Sequence, residues 1–221
     1  MLHKSREVRG IFGTSGTGKT FLAANMYGME SRAVVYNFMH DPQFAVKSTH
    51  ILNGDEASAA RLRRLFKAYK ENKEGLRLDF EPTDISEDEI LSFDRVCFEV
   101  YRSGMPISFY IDELHMLTSA GWSPKELKDI AFTGRHREIS VIYMAQRFAS
   151  IDKKITYQTQ IFDFFQTDEP TDLKGIAERC GSEVSEQVQS LRRLDTTKNP
   201  IVKPEYYEYN AVTRIGKRVV L

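Results

Sequence analysis

One stretch constrains this chain more than any other: Gly13-Thr14-Ser15-Gly16-Thr17-Gly18-Lys19-Thr20 satisfies G-x-x-x-x-G-K-[ST] at every fixed position. The pattern carries meaning only between a strand and a helix. Both flanks are present: Glu7 to Gly13 reads as a short strand, and Lys19 to Glu30 carries helix formers with Phe21, Leu22, Met26 and Met29 spaced for one face. Gly13, Gly16 and Gly18 let the backbone curl until its N–H groups point inward at a β-phosphate that side chains would crowd. Lys19 then neutralises the β/γ oxygens, and the Thr20 hydroxyl ligates Mg²⁺. The helix N-terminus beneath adds its own partial positive charge. ATP and Mg²⁺ are therefore the expected cofactors, with nucleotide contacts running from Gly13 through Thr14, Ser15, Gly16, Thr17, Gly18, Lys19 and Thr20 to Phe21.

A loop of this kind binds a triphosphate without specifying what is done with it, so the other strand ends matter. Ile107-Ser108-Phe109-Tyr110-Ile111 is the clearest buried strand in the chain and delivers Asp112 and Glu113 at its end. Asp112 is placed to hold Mg²⁺ through its water shell, and Glu113 to orient or deprotonate an attacking water. Gln146 closes the strand Val141-Ile142-Tyr143-Met144-Ala145, expected beside the Asp112 strand. An amide there touches both a γ-phosphate and the attacking water, or is simply a solvated terminus. Gly134-Arg135-His136-Arg137-Glu138 precedes that strand and falls at its opposite end. An arginine from there serves a neighbouring subunit's site or belongs to an ordinary charged loop, and Arg135 and Arg137 both qualify. His115 and His136 lack a second ligand at H-x-x-x-H spacing and do not define a metal site.

Between these motifs strands and helices alternate. Arg32 to Phe38 reads as a buried strand beside the first, broken by Asp41-Pro42, and Thr49 to Leu52 as another. A helix capped near Asp55 carries Leu62, Leu65, Phe66 and Tyr69 on one face and Arg61, Arg63, Arg64, Lys67, Lys70 and Lys73 on the other. That basic face is a solvated surface or a DNA contact. Leu76 to Phe80 is a further strand, and Ser86 with Glu89 forms a capping box for a helix to about Arg102. Pro124 opens a helix ending near Gly134, and Gln160 to Gln166 returns as a strand. Helices follow from Glu169 to Cys180 and from Glu183 to Leu194, then a hairpin of Tyr206 to Thr213 and Lys217 to Leu221.

This alternation predicts an α/β fold: a mostly parallel sheet with helices on both faces and a C-terminal β-hairpin, the ligand lying at the carboxyl ends of the strands. At 221 residues a single domain is expected over 1–221, with a core of about 7–166 and C-terminal helices and hairpin over 167–221. The 31 basic residues cancel the 31 acidic ones, so binding to nucleic acid requires a local patch. Cys97 and Cys180 lack C-x-x-C spacing and read as buried thiols in a reducing compartment. No targeting segment is evident, and no apolar run approaches the roughly 20 residues that span a bilayer.

The order of these features resembles the FtsK–HerA superfamily of hexameric, DNA-pumping, RecA-like P-loop ATPases. It rests on Gly13–Thr20, then Asp112-Glu113, then Arg135, then Gln146-Arg147, each at a strand boundary, and covers roughly Val8 to Gln166. In that superfamily a glutamine, often followed by arginine, ends the strand after the acidic pair, and an arginine shortly before that strand is the trans finger. Phe148 stands where the family often has proline. Reduced to little more than a motor core, the chain is most similar to the genome-packaging ATPases of tailless, membrane-containing icosahedral viruses. The resemblance implies a homo-oligomeric ring, a hexamer in such families, at a capsid vertex or on internal viral membrane proteins. That ring pushes double-stranded DNA inward, in a virion or host cytoplasm. Zot-like assembly ATPases of filamentous phages are a second resemblance, with Arg135-His136 before a strand ending in Gln146, but they normally carry a transmembrane segment. A small-molecule or nucleotide kinase, which needs neither Glu113 nor a trans arginine, and a nucleotide switch, which would lack the Asp112-Glu113 pair and Gln146, remain as rivals from other classes.

Overall fold

Strands and helices alternate in the computed structural model, which describes residues 7–54, 56–72, 75–83, 87–192 and 203–221; of these, the side chains of 56–59, 71–72 and 87–91 are not described. The first half comprises β1 (Val8–Phe12), α1 (Lys19–Met29), β2 (Arg32–Tyr36), α2 (Pro42–Ala45), β3 (His50–Gly54), α3 (Glu56–Asn72), β4 (Leu76–Pro82) and α4 (Glu87–Arg102). The second comprises β5 (Ile107–Ile111), α5 (Lys125–Thr133), β6 (Ile139–Ala145), α6 (Lys153–Gln158), β7 (Ile161–Phe164), α7 (Pro170–Cys180), α8 (Ser182–Gln189), β8 (Glu205–Asn210) and β9 (Ile215–Val220).

The nine strands form one sheet in the order β3-β4-β2-β5-β6-β1-β7-β8-β9. β1 to β7 pair in parallel, and the β8–β9 hairpin adds two antiparallel strands to the β7 edge. All residues of β5 and β6 are buried, as parallel strands covered on both faces must be. Two apolar layers flank the sheet. The smaller joins Leu22, Ala23 and Tyr27 of α1 and Phe44 of α2 to Ile11, Val35, Tyr110, Met144 and Phe165. The larger packs α3 to α8 against the other face through residues such as Leu62, Phe93, Ile130, Ile155 and Ile176. Arg9 pins the hairpin edge, reaching Asp163 of β7 at 2.8 Å and Glu208 of β8 at 3.3 Å.

Several local expectations change. β2 does not lie beside β1: β5 and β6 stand between them, because each parallel crossover is free to skip positions and only long-range pairing decides where it lands. The apolar face of α1 is not Phe21 and Met29, which are 48% and 79% exposed, but Leu22, Ala23, Ala24 and Tyr27. Two alanines bring the helix close to the sheet, and Tyr27 fills the far end against Phe44 and Tyr110. Strand β8 stops at Asn210 rather than Thr213, since the Asn210 side chain accepts from the N–H groups of Val212 and Thr213 and turns the chain. Of the two free cysteines, Cys97 is buried and Cys180 only partly so. The Asp55 cap, the Ser86 end of the capping box, Lys73 and Arg193-Leu194 lie outside the described residues.

Candidate functional site

The carboxyl ends of β1, β5 and β6 converge because β6 pairs in parallel with both others. At about 4.8 Å per strand spacing, β5 ends about 10 Å from β1, the space of one phosphoryl group and a water. The Gly13–Thr20 loop leaves β1 there, with Gly13 N–H donating to Ala145 O at 3.3 Å. Gly16 holds φ 76° with no atom within 4 Å of where a Cβ would sit. Gly18 holds φ 105° as the N-cap of α1, and a Cβ there would come within 3.1 Å of Pro204. No side chain caps α1 and no acidic residue occupies its first turn, so its amino-terminal N–H groups stay available to an anion.

Lys19 is 6% exposed, with Nζ donating to the Thr14 carbonyl at 3.0 Å. Burial lowers its pKa, partly countered by Glu113 and Asp112. A phosphate would restore the charge this lysine pays to keep. Asp112 is 3% exposed and its Oδ2 accepts from Met39 N–H at 3.4 Å. Burial, then repulsion from Glu113, pushes its carboxyl up to about 7, against the Met39 bond and the Lys19 charge. A cation would relieve that stress, and hydroxyl and carboxylate oxygens from Thr20 and Asp112 are the hard donors Mg²⁺ prefers. The residues present thus fit both a nucleoside triphosphate and Mg²⁺.

Glu113 follows in the left-handed region at φ 49°, a conformation that costs a non-glycine residue about 1–2 kcal/mol and gathers at functional sites. Gln146 Nε2 donates to Glu113 Oε1 at 3.1 Å. Burial raises the Glu113 pKa, but His115, Gln146 and Lys19 together outweigh it, and the net position lies below the ordinary value. Glu113 is thus ionised at neutral pH beside an Asp112 carboxyl whose proton affinity burial raises, two environments that separate neighbouring carboxylates into two roles.

Arg135 lies in the 3₁₀ turn Gly134–Arg137 at the amino end of β6, about 20 Å from Gln146 along the seven-residue strand. It is exposed, and among the described residues its guanidinium has no hydrogen bond or ion pair, although its carbonyl accepts from Glu138 N–H at 3.2 Å. Arg137 instead stacks on the Tyr101 ring at 4.1 Å. The structure therefore assembles the loop, Asp112, Glu113 and Gln146 at one end of the sheet and leaves Arg135 at the other. Phe21 extends outward from the start of α1. Arg147 turns away to Asp172 at 2.9 Å and Glu169 at 3.1 Å. Phe148, standing where the resembled family often has proline, packs against Phe12 at 5.0 Å and Phe164 at 5.7 Å. Sequence reasoning missed His115 as part of this site. Its signal was the spacing in Asp112-Glu113-Leu114-His115.

No protein-family model and no curated protein matches the chain. Among solved structures, the genome packaging NTPase B204 from Sulfolobus turreted icosahedral virus 2, in complex with ATP-gammaS, matches with a TM-score of 0.71 and 13% identity over 99% of this chain and 98% of that one. Its complex with AMPPCP matches at 0.69 with 13% identity, covering 97% of each chain. B204, the DNA-packaging ATPase from Sulfolobus Turreted Icosahedral Virus, matches at 0.67 with 14% identity, covering 96% of each. At such identity the likeness is one of fold, and the fold is that of a P-loop NTPase built like the viral genome-packaging enzymes.

Proposed function

We propose that the chain is an ATPase that works as a homo-oligomeric ring, a hexamer by family resemblance, and moves double-stranded DNA into a viral capsid. The observation that carries this reading is the Gln146–Glu113 contact at the ends of adjacent strands, facing the phosphate loop across β6. Bound ATP with Mg²⁺ supplies the phosphoanhydride bond to be cleaved. The Gly16 and Gly18 backbone, the α1 N-terminus and Lys19 hold the phosphates, while Thr20 and Asp112 are the oxygen donors for Mg²⁺. Glu113 accepts a proton from the attacking water, and Gln146 orients that water against the terminal phosphate. A neighbouring subunit's Arg135 completes the charge stabilisation, a role consistent with its exposure and its distance from its own phosphates.

The structural likeness to B204 supports the packaging task, which would place the protein at a capsid vertex or internal viral membrane, in a virion or host cytoplasm. Among the described residues no helix is long and apolar enough to cross a membrane. The net-neutral surface makes DNA contact local, and Arg61, Arg63, Arg64, Lys67 and Lys70 on the exposed face of α3 form one candidate patch. A kinase or switch has no use for an ionised water-activating acid paired to an amide. ATPase rates with and without duplex DNA, with light scattering in Mg·ATP, test the proposal: it predicts DNA-stimulated turnover by a ring. Phosphoryl transfer to an added nucleotide without DNA stimulation would replace it with the kinase.

A further inference from the structure

The turn that follows Glu113 carries a residue to which the ATPase reading assigns no task. The left-handed backbone of Glu113 turns the chain directly into the 3₁₀ turn Leu114–Met116, with Met116 N–H donating to Glu113 O at 2.9 Å. That turn folds the His115 ring back over the carboxylate two residues earlier, bringing Nδ1 to 3.0 Å from Oε2. Both atoms are buried and neither has an aligned hydrogen bond among the described residues. Two orphaned polar atoms therefore face each other at bonding distance, and a small rotation of the imidazole aligns them. The other carboxylate oxygen, Oε1, already accepts from Gln146.

We propose that His115 is a positioning residue for Glu113. Its Nδ1–H holds Oε2 while Gln146 holds Oε1, so the carboxylate meets the attacking water in one orientation. The inference rests on Glu113 being the base of the proposed ATPase. It gains force from the geometry of Gln146: an amide that turns to a terminal phosphate must release Oε1, and His115 then remains as the tether. A carboxylate held at one oxygen by a ring N–H keeps its other lone pairs directed and its charge in place.

The test is single-turnover ATP hydrolysis, with affinity for a fluorescent ATP analogue and thermal melting measured on the same proteins. His115→Ala is expected to lower the rate roughly 10-fold while affinity stays within about 2-fold, since the contact serves the chemical step. His115→Asn, whose Nδ2 sits where Nδ1 does, is expected to recover most of the rate. In a Glu113→Gln background, His115→Ala should add almost no further loss, because its effect passes through the missing carboxylate. An unchanged rate in His115→Ala, equal losses in the alanine and asparagine variants, or a full additional loss in the Glu113→Gln background would each overturn the assignment. Absence of hydrolysis in the unsubstituted protein would instead refute the ATPase reading, which separates the two failures.

Discussion

Glu113→Gln removes the proton acceptor and the oxygen that faces His115 Nδ1 at 3.0 Å. Glutamine keeps the side-chain length and retains a carbonyl oxygen to accept from Gln146 Nε2, now 3.1 Å from Oε1. What disappears is the negative charge, which His115, Gln146 and Lys19 hold in place despite burial. A general base contributes about 10²- to 10⁴-fold, equivalent to roughly 3–5.5 kcal/mol of transition-state stabilisation. Steady-state phosphate release from the variant is therefore expected to fall at least about 100-fold. Binding of an ATP analogue should hold or tighten, because the repulsion that raises Asp112 is relieved and one negative charge leaves the phosphate site. Two results would refute this reasoning: turnover within about threefold of the parent, or a loss of nucleotide binding matching the loss of rate.

The remaining predictions concern the loop, the buried acids and the far end of β6. Gly18→Ala must hold a side chain at φ 105° with its Cβ about 3.1 Å from Pro204, so chemical denaturation should show a loss of about 1–3 kcal/mol and ATP-analogue titration a weaker affinity. Gly16→Ala meets no neighbour and should cost less on the same curves. Asp79 is fully buried, with Oδ2 accepting from Asn37 at 3.1 Å, Oδ1 unpartnered and its carboxyl raised by burial to about 7. Its folded pKa lies above the unfolded one, so its contribution to stability is present at low pH and lost as pH rises from the ordinary carboxylate range through 7. Denaturant titrations from pH 5 to 8 should show this decline, about 3 kcal/mol from Asp79 alone, and Asp79→Asn should remove that share while leaving the parts due to Asp112 and Asp163, whose carboxyls burial also raises to about 7. Arg135→Ala is expected to lower turnover about 10³-fold in the assembled ring while leaving ATP binding intact. Arg137→Ala, losing its contacts with Tyr101, should cost at most about 1 kcal/mol of stability with turnover preserved.

That the loop, the acidic pair and Gln146 would gather at one end of the sheet was legible in the sequence because each feature is local. Gly13 to Thr20, Asp112-Glu113 and Gln146 each end a strand whose apolar run is visible by itself, and one correct adjacency, β5 beside β6, brings them together. Sheet order was not legible to the same degree. Nothing in Arg32 to Tyr36 records that β5 and β6 separate it from β1, because pairing between strands is set by long-range packing rather than by the residues of either strand. The face of α1 was read only in part: apolar spacing found Leu22 and Met26 but also favoured Phe21 and Met29, whereas close approach to the sheet selected Ala23 and Ala24. His115 was weighed only as a metal ligand, since its role depends on the left-handed turn at Glu113, which glutamate does not advertise.

The most direct measurement is a crystal structure of the protein with Mg²⁺ and a non-hydrolysable ATP analogue. The terminal phosphate is expected within hydrogen-bond reach, about 3 Å, of both Lys19 Nζ and Gln146 Nε2, with Mg²⁺ between Thr20 and Asp112 and Glu113 turned toward a water in line with the scissile bond. A phosphate chain bound away from the Gly13–Thr20 loop, or a terminal phosphate out of reach of Gln146 and the Glu113 water, would contradict it.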